Sequence, residues 1–325
     1  MITTAKRAAR AVLGIPPVLG LLRSWRLRGN PVTVLCYHTI GPDTGGPDAW
    51  TVLRAADFRA HLAALQESHD IVDLDRALAD GPGHRGRPRA VLTFDDGEAG
   101  NHRYLLPILT ELQLPVTIFV ATGQIETGQP YWFDRIMGAL TAGADVDLAT
   151  HGLGRWHIPP TPGPSRWATV SSLLETLKRT APDCRAAIVD DILSRYPLPP
   201  GRPPLGPMTR AELAEIARSP RVTIGAHSHC HNLLDQLPLV EAEASIARSR
   251  SLLRDWTGQE VAHFAWPNGN HTPALRQRAQ RLGFRSAAAL DMRLWRAGAD
   301  PYALPRLGIG RHDDTARLRL RLVGT

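Results

Sequence analysis

From residue 31 onward, short runs of Val, Ile, Leu and Phe alternate with stretches of helical periodicity, a pattern that admits little besides a parallel sheet covered by helices. VTVLCYH (32–38) reads as a strand. A helix follows, with Asp57 as a candidate N-cap and Phe58, Leu62 and Leu65 on one face. DIVDL (70–74) reads as a short strand and AVLTFDDG (90–97) as a buried one. NHRYLLPILTELQL (101–114) carries Leu105, Leu109 and Leu112 on one stripe, and PVTIFVAT (115–122) returns as a strand, completing a βαβ unit. Residues 123–208 break the rhythm with Pro and Gly clusters and read as an insertion with its own helices. The alternation then resumes. Thr209 and Glu212 have capping-box spacing, RVTIGAHS is a strand, and a helix runs from about Val240 to Gly258. VAHFAWP is a strand, TPALRQRAQRLG a helix closed by Gly283, and FRSAAAL and ALPRLGIG are the last strands.

A buried strand has no structural need to end in two adjacent carboxylates, which repel each other unless a cation or a proton lies between them. Asp95 and Asp96 end such a strand, followed by Gly97, which lets the backbone turn tightly. His38 ends a second strand, His227 a third, and the Trp266-Pro267 turn a fourth. In a parallel barrel the carboxyl ends of the strands converge on one active site, so four distant segments would meet there.

His227 and His231 are four residues apart, a spacing that turns both imidazoles toward one ion if the chain turns helically after the strand. With Asp96 they would make a set of two imidazoles and one carboxylate. Three protein ligands suit a catalytic metal site, whereas a structural site is closed by a fourth. An isolated HxxxH is also compatible with a plain polar turn; the Asp-Asp-Gly at another strand end argues against that. His229, between the two, should point elsewhere. If Asp96 is a ligand, Asp95 remains free to hold or accept a proton, an arrangement suited to hydrolysis of an amide or ester. No HExxH occurs, so a peptidase of that type is not supported.

TFDDG (93–97) together with H-S-x-x-H (227–231) resembles the polysaccharide deacetylase family, metal-dependent carbohydrate esterases. The resemblance covers roughly residues 32–311 apart from the insertion. It implies a distorted (β/α) barrel of about seven parallel strands, with the insertion after the strand at 115–122, and removal of acetyl groups from N-acetylated sugars. It carries over Asp95 as general base, Asp96, His227 and His231 as ligands of a divalent metal of zinc type, and Ser228 as a residue orienting the metal loop. Family members commonly hold the base with an arginine in an F-R-P-P-x-G turn; here that turn reads Phe264-Ala265-Trp266-Pro267-Asn268-Gly269, with Ala265 at the arginine position. Arg306 is the candidate replacement, against the alternative of a surface salt bridge.

The family commonly closes on a strand that ends in the acid histidine, but this chain ends in ARLRLRLVGT. The run Leu35, Cys36, Tyr37, His38 has that form at the other end. The chain therefore resembles the permuted branch, similar to poly-N-acetylglucosamine deacetylases, which makes His38 the acid. His312, beside Asp313 and Asp314, is the rival for this role and reads as solvated; a buried structural role for His38 is the further alternative. Trp266, Pro267, Tyr131, Trp132 and Phe133 are candidates for the sugar-binding surface, provided they are exposed.

The net charge of +7 could signal an anionic partner, yet the arginines are spread over nearly every segment without an aromatic-interleaved cluster, so nucleic acid is not an expected partner. Cys36, Cys184 and Cys230 lie too far apart for a disulfide framework or a CxxC site, and a reducing compartment fits. Residues 1–30 form a basic arm around AVLGIPPVLGLL, a run too short to span a bilayer and followed by Arg23, Arg26 and Arg28. It either packs on the domain or holds weakly to an anionic inner membrane surface. The expectation is a cytoplasmic, at most peripheral, enzyme with one catalytic domain over 31–325. It acts on an N-acetylated sugar or glycan in cell-surface polysaccharide biosynthesis; the alternatives are an amidohydrolase for a non-sugar amide and a carbohydrate-binding homologue without catalysis.

Overall fold

The computed structural model of the chain describes residues 25, 27–47, 49–198 and 206–322. Apart from Trp25 and residues 27–30, the basic arm lies outside the described residues. Among those described, no helix is long and apolar enough to cross a membrane.

The strands are β1 (Val32–Tyr37), β2 (Thr39–Gly41), β3 (Val52–Arg54), β4 (Asp70–Ile71), β5 (Arg89–Phe94), β6 (Val116–Val120), β7 (Ala144–Asp147), β8 (Arg155–Ile158), β9 (Val222–Ala226), β10 (His263–Ala265), β11 (Ser286–Ala288) and β12 (Leu307–Gly308). Seven of them form one parallel sheet in the order β11-β10-β9-β6-β5-β1-β12. β4 adds to β5 at Arg89 and Ala90. It is shorter than DIVDL suggests because Asp73 accepts from the Arg76 amide at 2.6 Å and starts the helix Leu74–Asp80.

The sheet curls until its two ends meet. β12 pairs with β1 through Leu35 and Leu307, while just upstream the Leu304 carbonyl accepts from Ala289 at 2.8 Å and the Leu304 amide donates to Ala287 at 2.9 Å. Residues 304–308 therefore join β11 to β1 and close the distorted barrel, with the first strand of the chain lying between β5 and β12. β1, β6 and nearly all of β5 are buried on both faces, as expected of strands covered by helices outside and packed side chains within.

Register sets the site. Tyr37 lies opposite Phe94, and Val120 and Phe264 both lie opposite Ala226. The next residues, His38, Asp95 and His227, consequently leave the sheet at one level. The helices follow the sequence pattern closely: Thr209 and Glu212 make both halves of a capping box, and Leu239–Thr257 stops at Gly258 in the left-handed region. Arg54, rather than Asp57, is the N-cap of Ala55–Gln66; Asp57 sits in its first turn and accepts from Arg54.

Beyond β6 the chain leaves the barrel and returns near Met208, whose amide donates to the Gly97 carbonyl. In between lie the helices Thr122–Thr127, Trp132–Ala139, Pro164–Lys178 and Pro182–Arg195. The last three build a second apolar cluster that includes Ile136, Leu173, Leu177, Ile188 and Ile192, while Ile125 of the first packs into the main core. The antiparallel pair β7–β8 belongs to this layer and is not evident in the sequence, because its polar alternation has no hairpin turn signal.

Candidate active site

The Asp-Asp-Gly corner is held from three sides. The Asp95 amide donates to the Tyr37 carbonyl at 2.9 Å, the Gly97 carbonyl accepts from Met208, and the Tyr131 hydroxyl donates to the Asp96 carbonyl at 2.7 Å. Asp96 has φ of 76° and Gly97 of 78°. A non-glycine residue held there costs of order 1–3 kcal/mol and persists only where its surroundings over-determine it. A Cβ on Gly97 would meet Val120 Cγ1 at 2.8 Å, so only glycine fits beside β6.

Against this corner stand the two histidines. His231 Nε2 is 3.1 Å and His227 Nε2 3.5 Å from Asp96 Oδ1, and the two rings have centroids 5.0 Å apart. They meet through a loop rather than the helical turn expected from their spacing: Ser228 and His231 have φ of 66° and 51°, and Ser228 Oγ accepts from the His231 amide at 3.0 Å. His227 Nδ1 donates to the Ala265 carbonyl at 2.8 Å, which fixes the ring with Nε2 facing Asp96. One ligand atom from each of Asp96, His227 and His231 falls within 4.8 Å of the others. Two imidazoles and one carboxylate on a buried wall fit a divalent ion of zinc type. His229 turns away, its Nδ1 2.9 Å from the Thr122 hydroxyl.

Asp95 faces Arg306. The guanidinium donates to both carboxylate oxygens at 2.7 and 2.8 Å, and also to Thr93 Oγ1 and the Ala289 carbonyl. Arg306 is fully buried, so the pair is not a surface salt bridge. It grips both oxygens of Asp95, the contact expected of a replacement for the arginine absent at Ala265. Burial alone would raise the Asp95 pKa, but Arg306 and then His227 outweigh it and hold the carboxyl below its ordinary value. Asp96 is held well below the usual range: burial opposes its charge, and hydrogen bonds from His227 and His231 overcome that. For His227, burial is exceeded by the pull of Asp95 and Asp96 and the pKa rises; for His231, burial prevails and the pKa falls. The sequence gives no hint that Cys36 also reaches this carboxylate, with Sγ 3.4 Å from Oδ2. Burial raises the pKa of that thiol, so it donates as S–H.

These groups open into a cavity of about 590 Å³, a size suited to a small organic ligand. His38 and His312 both line it. The His38 ring stands edge-on to Trp50, and one of its atoms lies within 4.8 Å of Asp95 and Cys36 ligand atoms. Burial lowers its pKa, and Asp96 and Asp95 recover part of the shift. His312 is exposed beside Trp167, as its solvated reading expects, whereas the neighbouring Asp313 is buried, accepting from the Gly310 amide and Arg321.

Trp132 and Phe133 line the cavity, but three residues expected on the sugar-binding surface are buried. Trp266 is fully buried with Nε1 donating to the Tyr302 carbonyl, Pro267 is buried next to it, and Tyr131 is spent on the Asp96 carbonyl. The aromatic wall of the cavity comes instead from the half-buried Trp50, Trp132, Phe133 and Trp167. Behind it, buried Glu98 and Asp134 face each other without another donor; burial pushes both carboxyls well above the ordinary range.

A family model described as polysaccharide deacetylase matches residues 83–287. No curated protein sequence matches the chain. Among solved structures, a deacetylase from Streptococcus pyogenes, PplD, in complex with acetate is similar at 16% identity over 90% of this chain and 98% of that one, with a TM-score of 0.60. IcaB from Ammonifex degensii is similar at 17% identity over 91% and 98%, also with a TM-score of 0.60. A de-N-acetylase from Aggregatibacter actinomycetemcomitans is similar at 15% identity over 89% and 99%, with a TM-score of 0.55. At these identities the structural likeness speaks to the fold.

Proposed function

The chain belongs to the polysaccharide deacetylase family, hydrolases that remove acetyl groups from sugars, and from that premise we propose that its cavity cleaves the acetamide of an N-acetylated sugar or glycan. The observation that supports this reading is the convergence of Asp96, His227 and His231 beside a second carboxylate, Asp95, that is locked by Arg306. The likeness to a neighbour described as a de-N-acetylase supports the choice of an N-acetyl group.

A divalent ion of zinc type, held by Asp96, His227 and His231, would supply Lewis acidity at the acetyl oxygen and acidify the attacking water. Asp95 accepts a proton from that water as its oxygen bonds to the carbonyl carbon. Arg306 keeps the Asp95 carboxylate ionised and fixes its orientation through two parallel hydrogen bonds. His38 gives a proton to the nitrogen as the C–N bond breaks, so that acetate and a free amino sugar leave. Its neighbour Trp50 and the insertion residues Trp132 and Phe133 enclose the ring and keep bulk water out.

The test is acetate release from N-acetylglucosamine oligomers by the full chain. Activity should vanish with a chelator and return with added zinc. A metal-loaded chain that binds the oligomers and releases nothing would make this a carbohydrate-binding protein instead.

A further inference from the structure

A buried charge is costly unless it is paired. Each carboxylate that lines the cavity already has its partner: Asp95 has Arg306, Asp96 has the two imidazoles, and Glu175 has Lys178 at 2.7 Å. Arg185 has none. It stands on the insertion helix Pro182–Arg195, lines the cavity and is only 5% exposed, yet no carboxylate among the described residues pairs with it. Its five N–H groups find two acceptors, the Asn232 side chain at 2.5 Å and the Thr180 carbonyl at 3.5 Å. The guanidinium stacks over Trp132, 5.2 Å from the ring centroid, so it is held as a flat fork.

We propose that Arg185 is the anion-binding end of the substrate pocket, and that the acetylated sugar handled here carries a negatively charged oxyanion, a phosphate ester or a carboxylate. The guanidinium fork matches two oxygens of either group, and an incoming anion supplies the countercharge that the protein withholds. Trp132 then serves twice, against the sugar ring and beneath the guanidinium. The inference rests on the deacetylase reading for the reaction but not for the anion site. The competing role for Arg185 is structural: through Asn232 it braces the loop that follows His231.

The experiment uses the metal-loaded full chain and three soluble substrates: N-acetylglucosamine 1-phosphate, N-acetylglucosaminuronic acid and methyl N-acetylglucosaminide. At least one charged sugar should exceed the neutral one in kcat/KM by roughly tenfold to a hundredfold, the range of a charge-assisted hydrogen bond. Which of the two does so identifies the oxyanion. Arg185→Gln should bring that ratio down by about tenfold or more, and Arg185→Lys should restore part of it, because charge returns without the fork. Equal kcat/KM for charged and neutral substrates in the wild type would overturn the proposal, and this measurement does not depend on the variants folding. So would an equal loss on all three substrates in Arg185→Gln, which is the signature of a bracing role. Calorimetry with glucose 1-phosphate, which has no acetamide, separates the two readings. Binding that weakens in Arg185→Gln, with no acetate released from any sugar, upholds the anion site and removes the deacetylase reading.

Discussion

Arg306 and Asp95, 211 residues apart in the chain, meet fork to fork with N–O distances of 2.7 and 2.8 Å. The same guanidinium also holds Thr93 and Ala289, so three segments of chain, at 93–95, 289 and 306, are fixed by one side chain. Replacing it tests two roles together. Arg306→Ala should cost about 3–5 kcal/mol of stability, because it leaves a buried carboxylate unpaired. Arg306→Lys should fold and keep its metal while acetate release falls roughly ten- to a hundredfold, since the charge remains and the bidentate geometry does not. Chemical denaturation and single-substrate kinetics check the two variants.

His227→Ala and His231→Ala should each lose the divalent ion, because two remaining ligands bind weakly. Asp95→Asn should retain it while turnover drops about a hundredfold or more, the range for loss of a general base. Elemental analysis of the purified proteins separates ligand from base; loss of the ion in Asp95→Asn would mean that the two carboxylates share the coordination.

His38→Ala should keep metal and fold but lose most of its turnover on an acetamido sugar, whose amine leaves poorly without a proton. An activated aryl acetate, whose phenolate needs none, should be affected far less. The same contrast in His312→Ala would move the acid role to the exposed histidine beside Trp167.

Asp134 and Glu98 place two carboxyl groups in one buried site with no other donor among the described residues. Asp134→Asn supplies an N–H to Glu98 and removes one carboxyl. With an unsatisfied buried group worth about 1–3 kcal/mol, the melting temperature should rise by a few degrees. A fall of similar size in a thermal melt would show that the pair is better satisfied as two acids.

His61 is fully buried, and burial lowers its pKa against the opposing pull of Asp313. Its folded value therefore lies below the unfolded value of about 6.5. The stability it contributes is present above that pH and is lost as pH falls from there through the folded value, because only the unfolded chain takes up the proton readily. Between pH 7.5 and 5.5 the wild type should lose stability with a slope of at most about 1.4 kcal/mol per pH unit from this group. His61→Phe should flatten that part of the curve in denaturant titrations.

The barrel and the cluster of polar groups at its mouth were legible because both are written in strand ends. Apolar runs that finish in His38, Asp95-Asp96 and His227 need only the parallel register to bring them together. Arg306 could be nominated from the vacancy at Ala265, although its complete burial could not, since ALPRLGIG looks the same at a surface edge. Trp266 shows the opposite failure. An aromatic at the end of an apolar strand reads equally as a sugar platform or as core, and here its ring is core with only Nε1 engaged. The insertion was least legible: Arg185 sits on a helix whose charged residues face several ways, and only the fold shows which of them meets the cavity.

The segment 304–308 that closes the barrel also carries Arg306. Competence is thereby tied to the last seam of the sheet. A chain whose seam has not zipped, during synthesis or after local fraying, would already be able to gather the proposed metal ligands, all of which lie upstream at Asp96, His227 and His231. It still lacks the cation that keeps Asp95 ionised and aimed. With the proposed roles, such a chain would hold metal without hydrolysing anything, so the proposed chemistry is coupled to closure of the sheet.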